Sequence, residues 1–312
     1  MNIITKIRRE YIFVAIVTLL CSCIKENLTN CDNVAICVRY FADSQTDVLA
    51  KYIDNIHLYF FNDKGNWVCT KKYNLYDFQS PGKTSPFRLH PGKYKLVALG
   101  NKNSFTEFRI INDLYTAIIE SPLFLMGKET VNHDYNYLGY SELIIPDDYK
   151  NITVDTVDLS SSHIKVDLEI NGLPSPVRSS DKIDPVSVRI IKANAQTLYN
   201  NQVVHNKYED ITPELLYDES KSRYYTDKLS LFRMDEKGLF NNNLCKHELQ
   251  ILDRNKQIIY SIRLIEFIEA NFQYIKLTNQ EAYLPIAINF IDTGIEIRLP
   301  QWYIEDIKPD WN

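Results

Sequence analysis

Residues 163–170, HIKVDLEI, put Ile164, Val166, Leu168 and Ile170 on one side of an extended chain and His163, Lys165, Asp167 and Glu169 on the other. A period of two is the strand period, so the segment reads as a β-strand with one buried face. The pattern returns near the C-terminus, where Leu284, Ile286, Ile288 and Phe290 share a face, Asp292-Thr293-Gly294 turns the chain, and Ile295, Ile297 and Leu299 come back with Glu296 and Arg298 outward. This is a hairpin. Pro285 has no N–H for a ladder, so its strand belongs at a sheet edge, or the proline at the first rungs. A second hairpin joins Leu249–Leu252 to Ile258–Leu264 through Asp253-Arg254-Asn255-Lys256. Upstream, Ile56–Phe61 and Trp67-Val68-Cys69 flank the polar turn Asn62-Asp63-Lys64-Gly65. Phe87-Arg88-Leu89 and Tyr94–Ala98 flank His90-Pro91-Gly92, which predicts a further hairpin closed by a type II turn. Between Asn101 and Asn151 the alternation loosens, and Ile110 to Ile119 is the one stretch expected to form a short helix.

Short strands with turn signals in both halves, without long alternating helices, predict an all-β chain of two β-sandwiches. The 21 tyrosines and 14 phenylalanines against nine glycines favour pleated, half-buried surfaces over glycine-cradled cofactor loops. The polar run Pro146-Asp147-Asp148-Tyr149-Lys150 places a boundary near residues 150–155, giving domains at 23–153 and 154–312.

The first 22 residues stand apart. Lys6, Arg8 and Arg9 precede an apolar run of thirteen residues from Tyr11 to Cys23, short of the about 20 that a spanning helix needs. A basic segment, a short apolar segment and small residues are the pattern of an export signal. Leu20-Cys21-Ser22-Cys23 resembles the bacterial lipobox, in which the cysteine after a small residue is acylated and becomes the mature N-terminus. Cys23 fits better than Cys21, because Ser22 precedes the former and Leu20 the latter. Removal of residues 1–22 leaves 290, and Ile24 in place of Asp after the cysteine directs a Gram-negative lipoprotein to the outer membrane. Acyl chains contribute about 0.8 kcal/mol per buried CH₂, so several together are a lasting tether.

Chemistry-bearing residues form no catalytic or metal constellation. Cys31, Cys37, Cys69 and Cys245 allow up to two disulfides in an exported chain, one N-terminal bridge being expected with its partners unspecified. They lack the paired spacing of a zinc site. Gly82-Lys83-Thr84 resembles the end of a phosphate loop, but Asp77 occupies the position of the first glycine, so the segment reads as a plain loop. Ser160-Ser161-Ser162-His163 has no nucleophile elbow, and His163 is expected on the solvated face of its strand. His133-Asp134 is expected in a surface loop. The formal charge of −5 shows no basic footprint for nucleic acid. No enzyme and no cofactor is expected.

Several segments together resemble the fimbrial anchor lipoproteins (FimB type) of the donor-strand pili of Gram-negative anaerobes: Cys23–Leu28 with Cys31 just before the first strand, the hairpin Ile56–Trp67, LHPGKYKLVALGN at 89–101, Leu159–Gly172, and Leu277-Thr278-Asn279-Gln280-Glu281 with the strands ending at Trp302. The resemblance implies two transthyretin-like β-sandwich domains. It also implies a non-catalytic lipoprotein that fixes a fimbrium to the outer membrane, ends or regulates its growth, and meets a shaft subunit by β-strand complementation. Departures are the long loop after Asn101 and Leu99 where the family commonly has tryptophan. Two features favour anchor over shaft: Arg39, the only arginine between Cys23 and Arg88, lies inside the first predicted strand, and the thirteen residues after Leu299 include Pro300 and Pro309. The alternatives are a polymerising or tip subunit, and a surface lipoprotein that binds glycans through exposed Tyr and Trp.

Overall fold

In the computed structural model, which describes residues 31–78, 82–147, 151–175, 186–234 and 247–307, the alternating segments are strands. The first half runs β1 (Val34–Arg39), helix α1 (Leu49–Tyr52), β2 (Asn55–Asn62), β3 (Trp67–Asn74), β4 (Gly92–Gly100), β5 (Glu107–Arg109), β6 (Ile118–Glu120), helix α2 (Pro122–Leu125), β7 (Tyr137–Ile145), β8 (Thr153–Asp158) and β9 (Ser160–Ser161). Five of them form a sheet ordered β3-β2-β4-β7-β9, and β1 pairs in parallel with β8. Val34, Ile36 and Val38 of β1 share one core with Ile56, Leu58 and Phe60 of β2 and Leu96 of β4. This is the first sandwich.

Strands β2 and β4 are buried on both faces. Tyr59, Phe61, Val97 and Leu99 point away from that core and are covered by Phe108, Leu114, Ala117 and Ile119 from the segment after Asn101. Two apolar neighbours demand apolar side chains on both faces, which is why LYFF and KLVALG read as runs. The long loop is therefore a third layer. Its only helical turn within 110–119 is the three-residue 3₁₀ turn Leu114–Thr116, and Ile118–Glu120 is strand β6 rather than helix.

The second half continues with β10 (His163–Asn171), β11 (Val186–Asn194), β12 (Gln196–Leu198), β13 (Tyr208–Ile211), β14 (Leu216–Asp218), β15 (Arg223–Tyr225), β16 (Leu229–Phe232), β17 (Glu248–Asp253), β18 (Ile258–Arg263), helix α3 (Leu264–Ala270), β19 (Tyr283–Ile291), β20 (Gly294–Arg298) and helix α4 (Gln301–Ile307). One sheet is ordered β14-β15-β10-β19-β20, with β16 also on β10, and the facing sheet is ordered β13-β11-β17-β18. Between them lie Ile164, Val166, Leu168 and Ile170 of β10 with Val188, Ile251 and Ile286 from other strands. Each such fully buried aliphatic side chain contributes about 1.5–3 kcal/mol. Both C-terminal hairpins form as the alternation indicates.

Two expectations change, and the one for Pro285 is met by its second alternative, a place at the first rungs. Phe87 pairs with Val34, not with β4, because β2 and β7 already occupy both edges of β4. Gly92 has φ +150°, outside the type II range. Strand β19 is internal, and Pro285 is tolerated by phase: the Lys165 N–H donates to the Ala282 carbonyl, which assigns Leu284 and Ile286 to β10 and turns the Pro285 nitrogen toward β20, whose pairing begins only at Ala287. The expected division at 153–154 falls at the start of β8, whose rungs Thr153 to Asp158 pair with β1. Strand β12 pairs with β6, so one small sheet joins the two halves.

The Gly82-Lys83-Thr84 loop closes the outer edge of β1. Gly82 accepts from the Val38 N–H at 2.7 Å, and the Thr84 hydroxyl accepts from the Ile36 N–H at 3.0 Å. Gly82 has φ +73°, and an added Cβ would sit 1.9 Å from the Val38 carbonyl oxygen. Gly82→Ala should therefore lower the unfolding free energy by roughly 2–4 kcal/mol. Gly127→Ala, with positive φ but open space around it, should cost about 1 kcal/mol. Urea titration of the two variants checks the difference.

Candidate assembly surface and junction

Cys23, the expected lipidation site, lies outside the described residues. No helix among the described residues is long and apolar enough to cross a membrane. Cys31, Cys37 and Cys69 are free thiols, so the expected N-terminal bridge is not made among them, and Cys245 lies outside the described residues. The cause is layer geometry. Cys37 alternates with the core residues Ile36 and Val38 and faces away from them, whereas Cys69 packs against the core from β3 in the other sheet. Packed sheets stand about 10 Å apart, beyond disulfide reach.

Strand β1, which directly follows the N-terminal segment, is closed on its inner face and at both edges. Its inner face is core, β8 holds one edge, and the Gly82–Phe87 segment holds the other. At its end, Arg39 makes a two-pronged pair with Asp158, at 2.7 Å (Nε to Oδ1) and 3.0 Å (Nη2 to Oδ2). The peptide after Arg39 is also engaged. The Arg39 carbonyl accepts from Leu159 N–H at 2.8 Å, and the Tyr40 carbonyl accepts from Val48 N–H at 2.7 Å.

The two halves meet in a polar junction that sequence reasoning missed. Glu281, from the segment 277–281, accepts from the hydroxyl of Tyr40, from the hydroxyl of Tyr137 at 3.1 Å and from Lys165 Nζ at 2.5 Å. Burial, reinforced by this carboxylate, pushes the Tyr40 and Tyr137 phenols well above the usual range. Asp43 accepts from the Gln280 N–H at 2.9 Å, and Gln280 Oε1 accepts from the Ser161 N–H at 2.9 Å. Arg233 donates to the carbonyls of Ser161, Leu277, Asn279 and Gln280 at 2.7–2.9 Å. No periodicity marks these residues. Only the resemblance had singled out 277–281.

Both histidine expectations are overturned. His163 lies on the polar side of β10 but is buried, because the first sandwich covers that side: the Tyr135 ring stacks on it at 4.9 Å and Tyr137 meets it edge-on at 5.1 Å. Its Nδ1 donates to the Asn136 carbonyl at 2.9 Å, so that nitrogen is no base for Ser161, whose hydroxyl lies 3.2 Å away. His133 and Asp134 are buried as well. His133 Nε2 stands 2.9 Å from Glu209 Oε1 with its ring 4.0 Å from Phe232, and Asp134 accepts from the Asn103 N–H at 2.9 Å. A second carboxylate, Glu120 on β6, is sealed between Arg109 and Gln196. Buried charges of this kind are paired, as desolvation requires.

This framework is matched over residues 28–308 by the profile of the fimbrillin-A associated anchor proteins Mfa1 and Mfa2. The chain belongs to that family. The fold of this member is shared with the fimbrial anchor protein Mfa2 from Porphyromonas gingivalis (TM-score 0.58, 13% identity, 85% of this chain and 94% of that one). It is also shared with a candidate adhesin from Bacteroides ovatus (0.62, 14%, 86% and 94%). A candidate polysaccharide-binding protein from Bacteroides thetaiotaomicron is a third (0.60, 11%, 86% and 99%). No curated protein matches the chain. Membership gives the protein a role in fimbriae and in contacts with other fimbrial subunits, in a family that is non-enzymatic in general.

Burial lowers His163 and His247 from 6.5 to about 4, chiefly by desolvation. Between those values the unfolded chain binds protons that the folded chain does not, so stability falls as pH drops from 6.5 to 4 and levels off below. Urea unfolding at pH 5 should therefore give a free energy lower than at pH 7 by roughly 2 kcal/mol for each ring. His163→Phe should flatten its share of that slope. A flat profile in the parent chain would mean that the rings are charged when folded.

Proposed function

We propose that the protein is a lipid-tethered fimbrial anchor of the outer membrane, acylated at Cys23, that holds a shaft subunit through β-strand complementation. The observation that carries this reading is the closure of β1. Ten residues separate Cys23 from Val34, so a β1 that stays in the first sandwich keeps the tether attached to the folded body. A shaft subunit that gives up its first strand needs cleavage in or before it, and proteases require an extended, unpaired segment. Around Arg39 both flanking carbonyls and the side chain are engaged. The segment after β20 folds as helix α4, docked by the Tyr303 hydroxyl donating to the Tyr274 carbonyl at 2.9 Å. A helix does not complement a neighbour's sheet, so this segment is no donor strand, which supports a role in ending or limiting fibre growth. Edges open to a donated strand among the described residues include β3, β18 and β20.

The N-terminal peptide of protein from native outer membranes should begin at acylated Cys23 and run intact through Arg39. An Arg-specific protease should leave the folded chain uncut there and cleave it in urea. A mature N-terminus beyond Arg39 would make the protein a polymerising subunit instead.

A glycan-binding role is the second reading, favoured by a tyrosine cluster in which Tyr115 and Tyr140 are exposed and Tyr199 is half-buried. Tyr115, Tyr199 and Tyr140 touch in series, with ring centroids 6.2 and 5.6 Å apart, beside Lys95 and Glu142. The structurally similar protein described as a polysaccharide-binding candidate is consistent with it. Retention of the protein on a glycan matrix, lost on Tyr115→Ala, is the expected outcome if this surface binds sugar; equal retention of the variant removes the reading.

A further inference from the structure

Between the third layer of the first half and the strands β14 to β16 of the second lies an open cleft of about 310 Å³. Its walls are Phe105, Val131, Leu216 and Leu229, and its rim carries Glu214 and Asp227. Clefts at unit boundaries of about this size are common binding sites. Val131 and Leu216 remain 39% and 37% exposed, which leaves apolar wall in water. Glu214 and Asp227 enter no hydrogen bond or ion pair among the described residues, unlike the buried Glu120 and Glu209 and the half-buried Glu281.

The walls are fixed before anything binds. Asn132, next to Val131, donates to the Lys228 carbonyl at 3.1 Å and accepts from the Ser230 N–H at 2.9 Å, which ties the wall from the first half to the turn and strand of the second. The Thr226 hydroxyl accepts from the Leu168 N–H at 3.3 Å, anchoring the segment that carries Asp227 to the central strand β10. A preformed site loses less ordering entropy on binding.

An apolar slot with two unpaired carboxylates at its mouth suits one kind of occupant. A long basic side chain lays its methylenes on aliphatic and aromatic walls and keeps its charge at the rim, and a guanidinium gains further from an aromatic wall. A neutral apolar side chain would leave the carboxylates without a partner, and an acidic one would be repelled. We propose that this cleft receives an arginine or lysine side chain projecting from a fimbrial subunit, as a second point of attachment beside strand complementation. The assignment rests on the anchor reading.

The test uses the full mature chain with fimbriae sheared from the cells that make it. Capture of fimbriae should weaken about tenfold in Glu214→Gln/Asp227→Asn, and its dependence on salt should flatten. Val131→Lys, which puts a cation in the mouth at an exposed position, should weaken capture similarly without lowering the thermal midpoint. A probe independent of the partner is N-acetyl-arginine N-methylamide, with the neutral citrulline analogue as control: only the arginine compound should shift the amide resonances of Val131, Leu216 and Thr226. Capture unchanged in both variants overturns the cleft and leaves the anchor reading standing. Loss with Val131→Lys alone overturns the basic occupant, and equal shifts from arginine and citrulline compounds do the same. If the parent chain captures no fimbriae at all, the anchor reading falls and this assignment falls with it.

Discussion

The parallel pairing of β1 with β8 is the constraint on which the rest of the molecule depends. A parallel pair needs a crossover connection, and here the crossover is the whole first sandwich, from α1 to β7. Its removal would uncover Val34, Ile36 and Val38 together with the core beneath them. One strand thus closes the core, carries the chain toward Cys23, and meets the second half through Tyr40 and Asp43 just past its end.

Three contacts then make one body of two sandwiches. The β6–β12 ladder, the clasp of segment 129–134 on β13 and β16, and the Glu281 junction come from separate stretches of sequence. Each is polar and buried, and each side supplies groups the other would leave unpaired. Opening any of them exchanges these hydrogen bonds for bonds to water, a net cost of about 0.5–1.5 kcal/mol for each one. Such coupling passes load from one sandwich to the other without a hinge among these contacts.

Histidines 133 and 163 show where sequence reading failed and why. The alternation at 163–170 gives the faces of β10 correctly, since Ile164 to Ile170 are core. It cannot say that a second sandwich covers the start of the polar face, because periodicity reports only which side chains share a face. Gly82-Lys83-Thr84 was legible as a loop, but its service to β1 depends on a partner more than forty residues away. The expected N-terminal bridge is not made among Cys31, Cys37 and Cys69 for the related reason that spacing along the chain carries no information about which layer a thiol faces.

The sequence alone determined the β class, the core faces of β10 and β19, the two C-terminal hairpins and the family resemblance. All of these follow from local alternation, turn chemistry and short motifs, which are properties of neighbouring residues. Only the tertiary structure decided that the segment after Asn101 is a third layer, that β1 is sealed on both edges, that Glu281 joins Tyr40, Tyr137 and Lys165, and that an acidic-rimmed cleft opens between the halves. Those features depend on which distant surfaces exclude water from one another, and burial of that kind is a property of packed layers rather than of any single segment.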